Sequence, residues 1–167
     1  KNHAFLLECF AEYCQRNGNR NLILVGTGLL EGKIKEKIES LGLQDRVKIL
    51  GWSPNPQEYM NNAIAMLLSS KWEGMPNVLI EAMMCACPVI SIDCPTGPRE
   101  ILGLSKHGIL IPKDKKSEFV DAMVKIERDK SFWNKWSLRA LSRAKAFSID
   151  RIGPQFIRIL EENRKRV

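Results

Sequence analysis

Two glutamates carry the strongest chemical signal in the sequence. Glu73 and Glu81 lie in the run Ser69-Ser70-Lys71-Trp72-Glu73-Gly74-Met75-Pro76-Asn77-Val78-Leu79-Ile80-Glu81-Ala82, with seven residues between them. That spacing does not make them helical neighbours. Pro76 suits the first position of a helix, and Leu79, Ala82, Met83 and Ala86 recur at helical spacing, so the pattern predicts a helix from Pro76 to about Ala86. Glu73 then overhangs the helix mouth from the loop that holds Gly74, and Glu81 projects from its wall. The amides of Asn77, Val78 and Leu79 are expected to stand free there as an anion site. Carboxylates beside such a site repel a bare phosphate but accept hydrogen bonds from a diol. The pattern therefore fits a ligand carrying both phosphate and hydroxyls. The plainer alternative is a solvated loop glutamate and a surface one. No nucleophile or general base stands beside the pair. His3 and His107 are the only histidines, and neither is assigned a catalytic role.

The elements that must position these groups read as alternating strands and helices. A helix over Lys1 to about Arg16 presents Phe5, Leu6, Cys9, Phe10 and Tyr13 on one face and stops at Asn17-Gly18-Asn19. A buried strand at Asn21–Val25 leads into Gly26-Thr27-Gly28, and a helix from about Leu30 to Leu41 follows. Arg46–Leu50 alternates like a strand, Gly51-Trp52-Ser53-Pro54 breaks it, and a short helix spans about Gln57 to Asn62. Ala63–Leu68 reads as a strand buried on both faces. Further strands are expected at Val89–Ile92 and Ile109–Ile111, with a loop and short helix over Gly97–Leu104 between them. From Ser117 onward the chain reads helical, with breaks near Lys130, Ser148 and Gly153-Pro154. Such alternation predicts an α/β fold, a Rossmann-like parallel sheet with helices on both faces. Its ligands bind beyond the carboxyl ends of the strands.

Composition narrows the classes. At 167 residues, with 44% hydrophobic and 27% charged residues, the chain suits one globular domain. No apolar run approaches the ~20 residues of a membrane span, and no signal peptide opens the chain. The five cysteines are an odd number without metal-ligand spacing. Cys85, Cys87 and Cys94, in apolar surroundings, read as small core residues of a reducing compartment, which points to the cytoplasm. The net charge of +7 comes with local clusters at Lys113–Lys116 and Arg164-Lys165-Arg166. No aromatic-interleaved basic stripe accompanies it, so an anionic small ligand accounts for it better than nucleic acid. Gly26-Thr27-Gly28 followed by Gly32 resembles a dinucleotide fingerprint. The acidic residue expected about 20 positions on is replaced by Gly51-Trp52, which argues against a nicotinamide cofactor.

The run from Glu73 to Met83, with Pro88-Val89-Ile90-Ser91-Ile92-Asp93 and Gly97-Pro98-Arg99-Glu100-Ile101-Leu102, resembles the donor-binding signature of family-4 (group 1) retaining glycosyltransferases with the GT-B fold. The resemblance covers most of the chain. It implies a donor-binding domain in which Glu81 holds the ribose hydroxyls of a nucleotide diphosphate sugar, UDP-linked by preference. It gives Glu73 the contact with the transferred sugar, and so a catalytic role. Gly74, Met75, Pro76 and the amides of Asn77, Val78 and Leu79 would hold the diphosphate. Gly26 and Gly28 would let backbone approach the donor, and Trp52 would border the base or pack in the core. Lys1 matches a diphosphate-binding lysine by position. The resemblance implies front-face transfer to a saccharide or glycolipid in bacterial surface polysaccharide synthesis, with no bound metal. Ala86-Cys87 departs from a pair that commonly contains glycine, which reads as tolerated packing. Arg99 is a candidate phosphate partner, with an exposed arginine or a pair with Glu100 as the plainer reading.

Residue 1 already opens a helix, although a parallel sheet of this kind begins with a strand. The expectation is a single domain over 1–167, one half of a GT-B fold with a helical tail, lacking its first strand and the acceptor domain. Alone it is expected to bind donor without transferring sugar. A final helix over about Arg151–Arg166 is amphipathic and basic. It suits the inner face of a membrane or the missing domain, with packing on this domain as the default. The rival reading is a non-catalytic nucleotide-binding or interaction domain on the same fold.

Overall fold

The computed structural model describes residues 1–164. In chain order the elements are α1 (His3–Gln15), β1 (Leu22–Val25), α2 (Glu31–Ser40), β2 (Val47–Gly51), α3 (Gln57–Asn62), β3 (Met66–Leu68) and α4 (Asn77–Met84). They continue as β4 (Val89–Ile92), α5 (Gly97–Leu102), β5 (Ile109–Ile111), α6 (Lys116–Arg128), α7 (Lys130–Ala144) and α8 (Ile149–Arg164). A 3₁₀ turn, Lys145–Phe147, joins the last two helices.

Helix ends follow local chemistry. Asn17 adopts a left-handed φ of 60°, and the Gly18 amide reaches back to the Tyr13 carbonyl at 3.0 Å, closing α1. Gly18 is required there because a Cβ would sit 2.2 Å from the Tyr13 ring. The break near Lys130 is a capped helix start, where the Asp129 carboxylate accepts from the Phe132 amide at 2.9 Å.

All strand pairs are parallel, and two layers of helices cover the sheets. In β4 every residue is buried, and its neighbours alternate between the layers. Ile90 and Ile92 join Leu6, Phe10, Phe119 and Val120 in the core beneath α1 and α6. Val89 joins Leu79, Met83, Ile101 and Leu102 beneath α4, α5 and α7. A strand buried on both faces needs this unbroken apolar run.

The expected single sheet is split. β1 pairs with β2, with Leu22 opposite Val47, and β3–β4–β5 form a separate sheet, with Leu67 opposite Ile90 and Ile90 opposite Ile109. No described strand lies between β1 and β3. Two expectations of full burial therefore fail. Ile23 and Val25 are 43% and 41% exposed, and β3 is a three-residue strand with Met66 and Leu67 only half-buried.

Three further expectations are corrected. Helix α4 ends two residues early because Ala86 sits at φ 53°. The break at Gly153-Pro154 is absent, since α8 runs through Pro154. That proline lies close to the helix start, where it removes a single backbone bond. Helix α8 also leaves its apolar stripe open instead of packing it, with Ile149, Phe156 and Leu160 all more than half exposed. Lys165 and Arg166 lie outside the described residues. Among the described residues no helix is long and apolar enough to cross a membrane.

Candidate functional site

The carboxyl ends of β1, β2, β3 and β4 meet at one edge, and the predicted groups gather there unevenly. Beyond β3 the chain buries Ser69 and Ser70. The Ser69 hydroxyl donates to the Lys1 carbonyl at 2.9 Å, tying the start of α1 to the end of β3. The Ser70 hydroxyl donates to Oε1 of Glu73 at 2.6 Å, and the Lys1 ammonium donates to the same oxygen. Both bonds fall on Oε1, so Oε2 retains its lone pairs for a hydroxyl donor. Burial pushes the Glu73 carboxyl up, but the Lys1 and Ser70 bonds outweigh it and hold the group below the ordinary glutamate value.

Backbone bonds fix the loop that carries Glu73. Its amide donates to the Pro95 carbonyl at 2.7 Å, and its carbonyl accepts from Thr96 at 2.8 Å. Gly97 completes the clamp, because a Cβ there would lie 2.2 Å from the Gly74 carbonyl oxygen and 2.4 Å from the Pro76 ring. Gly74 itself faces open space and Met75 is 45% exposed. The loop therefore presents backbone and an apolar side chain outward.

Helix α4 starts immediately after Pro76. The Asn77 and Val78 amides, in the first turn of α4, have no carbonyl one turn back to bond. Leu79 is a correction: its amide donates to the Pro76 carbonyl at 2.9 Å and its side chain is fully buried, so it offers nothing free. Glu81 is half-buried. It lines a cavity of about 500 Å³ that Lys1, Gly26, Trp52, Ser70 and Val78 also line. Lys1 thus joins the two glutamates, bonded to Glu73 and facing the space that Glu81 lines.

On the β1–β2 side, Gly26 holds φ 123°, a conformation that needs glycine, and its amide meets the Gly51 carbonyl at 2.6 Å. Gly28 has open space around it and does not line the cavity. Trp52 is 74% exposed, which removes the core alternative for it. Arg99 does not pair with Glu100; its guanidinium binds both oxygens of Asp93, six residues earlier.

Two contributors carry no mark in the sequence: Ser69, whose hydroxyl bonds the distant Lys1 carbonyl, and His3, which lines the cavity with Lys1. Burial, then Lys1, holds the His3 imidazole below its ordinary value. For Ser70 a signal existed, its place three residues before Glu73 at a strand end.

Residues 1–143 match the family described as Glycosyl transferases group 1. An uncharacterised glycosyltransferase of Methanocaldococcus jannaschii is 34% identical over 96% of this chain and 47% of its own length. The Campylobacter jejuni N-acetylgalactosamine-N,N'-diacetylbacillosaminyl-diphospho-undecaprenol 4-alpha-N-acetylgalactosaminyltransferase is 30% identical over 96% of this chain and 43% of its own. The chain thus spans less than half the length of these relatives. Among solved structures, S. aureus TarM with Fondaparinux, alpha-GlcNAc-glycerol and UDP superposes with a TM-score of 0.88 at 21% identity, covering 95% of this chain and 32% of that one. Anabaena HepE with UDP and glucose gives 0.85 at 22%, covering 97% and 45%. These likenesses establish the fold.

Proposed function

The chain belongs to the group 1 glycosyl transferases, and from that premise we propose that it is the donor-binding part of a retaining hexosyltransferase using a nucleotide diphosphate sugar. The observation that carries this reading is the Lys1–Glu73–Ser70 cluster, whose Lys1 and Ser70 line the same cavity as Glu81. A cation, two free helix amides and two carboxylates with spare acceptor positions suit a ligand that is anionic at one end and rich in hydroxyls at the other. Lys1, 57% exposed, faces the diphosphate together with the Asn77 and Val78 amides. As the glycosidic bond breaks, these groups hold the charge that develops on the leaving phosphate. Oε2 of Glu73 accepts from the sugar, Glu81 accepts from the ribose, and exposed Trp52 stacks on the base.

UDP is the preferred carrier in this reading, supported by the UDP bound to the neighbours of like fold. The acceptor is a saccharide or glycolipid of a surface polysaccharide, supported by the names of the relatives. The acceptor site lies on a further domain, so the chain alone binds donor without turnover. Binding needs no metal.

Calorimetry with UDP, GDP and ADP tests the reading. UDP is expected to bind most tightly, with Glu81→Ala weakening it at least tenfold and EDTA leaving it unchanged. Equal, weak binding of all three, untouched by Glu81→Ala, would overturn it.

A further inference from the structure

We propose that the amino edge of the domain carries a phosphate-binding site, separate from the donor groups, where the turn between α5 and β5 meets the outer face of α7. Lys106, His107, Leu138, Arg139 and Ser142 line a surface cavity of about 420 Å³ there. Lys106 and His107 come just before β5, whereas Glu73, Asn77 and Val78 follow the carboxyl end of β3. The two places lie at opposite ends of the parallel strands.

The charge at this cavity is one-sided. From Lys130 to Ile149 the sequence holds no aspartate or glutamate, and Lys135, Arg139 and Arg143 recur every four residues along α7. Like charges at that spacing repel one another. Lys106 adds a cation from the facing turn. Among the described residues no ion pair engages Lys106, Lys135, Arg139 or Arg143. Arg139 stands over the Trp136 ring at 5.4 Å, and Arg143 donates to the carbonyls of Ile101 and Glu100. These contacts hold the guanidiniums in place without neutralising them.

His107 records the same imbalance. Its Nδ1 is buried and has no hydrogen-bond partner, although buried polar atoms are nearly always paired. Burial, then the charges of Arg143, Arg139 and Lys106, hold its imidazole below the ordinary value, so all three cations act on one ring. A bound anion offsets the repulsion and favours the imidazolium, which turns the unpartnered Nδ1 into a donor. A guanidinium fork, an ammonium and the Ser142 hydroxyl are the donors that suit phosphate oxygens. Leu138, 70% exposed on the cavity wall, suits a phosphate borne on an organic molecule. That molecule is a soluble phosphate ester or a phospholipid headgroup, and the test separates the two.

One arm follows amide shifts of the nitrogen-15-labelled chain with inorganic phosphate, against chloride at equal ionic strength. The other is co-sedimentation with phosphatidylcholine vesicles, with and without one-fifth phosphatidylglycerol. Saturable shifts are expected at Lys106, His107 and Ser142, weakened at least tenfold in a Lys106→Ala, Arg139→Gln double variant and untouched by Glu81→Ala. Both substituted side chains are exposed, so the double variant is expected to keep the native circular dichroism. A second readout needs no variant, because the His107 ring titration is expected to move to higher pH when phosphate binds. Co-sedimentation that requires phosphatidylglycerol and fails in the double variant assigns the phosphate to a lipid. Its absence beside saturable shifts assigns a soluble ester. Shifts that chloride reproduces, shifts confined to Asn77 and Val78, responses that the double variant leaves intact, or no response in either arm would overturn the proposal. Glu81→Ala reports on the donor site alone, so the two readings fail separately.

Discussion

At the scale of single residues, Glu73 is the position where burial and charge compete. Burial favours the neutral acid, while Lys1 and Ser70 favour the carboxylate and prevail. Its folded pKa therefore lies below the ordinary 4.5. The tie to Lys1 adds stability above that pH and loses it as the pH falls through the lower, folded value. A carbon-13 titration of the Glu73 carboxyl is expected to give a midpoint below 4.5 in the native chain. In a Lys1→Ala, Ser70→Ala double variant burial is the largest remaining influence, and the midpoint is expected to rise relative to the native chain. A native midpoint at or above 4.5 would contradict the cluster. Gly97 acts through shape instead. Gly97→Ala forces a methyl against the Gly74 carbonyl and the Pro76 ring, and the expected cost is ~1–3 kcal/mol of stability. Nucleotide binding should weaken with it, because the clamped loop carries Glu73.

At the scale of elements, Ala86 shows why a departure from the family pattern is not a matter of size. Its φ of 53° ends α4 in the left-handed region, while the Cys87 amide closes onto the Ala82 carbonyl at 3.0 Å. An alanine there carries ~1–2 kcal/mol of backbone strain. Glycine removes it but gains ~0.4–1 kcal/mol of unfolded-state entropy. Ala86→Gly should therefore stabilise the chain by about 0.5–1 kcal/mol, read as a rise of roughly 2–3 °C in Tm. A fall in Tm would contradict the assignment. Elements bounded by punctuation were legible in the sequence. Helix α3 and strands β4 and β5 fall at the expected residues because apolar runs there end at proline, glycine or small polar residues. What the pattern could not carry is partnership. Ile23 and Val25 read as buried from their type, but burial needs a neighbouring strand, which one segment's periodicity does not report. In the same way, no local spacing tells that Gly97 touches Gly74 or that Asp93, not Glu100, takes Arg99.

At the scale of the molecule, the split sheet dominates. The proposed donor site draws its groups from Lys1, the β1 turn, the β3 loop and α4, all within the described chain. The most direct measurement is a titration of the nitrogen-15-labelled chain with UDP, followed by amide chemical shifts. The account predicts the largest shifts at Gly26, Trp52, Glu73, Asn77 and Val78, with Leu79, whose amide is already bonded, moving less. Shifts confined to other surfaces, or none at millimolar UDP, would contradict it.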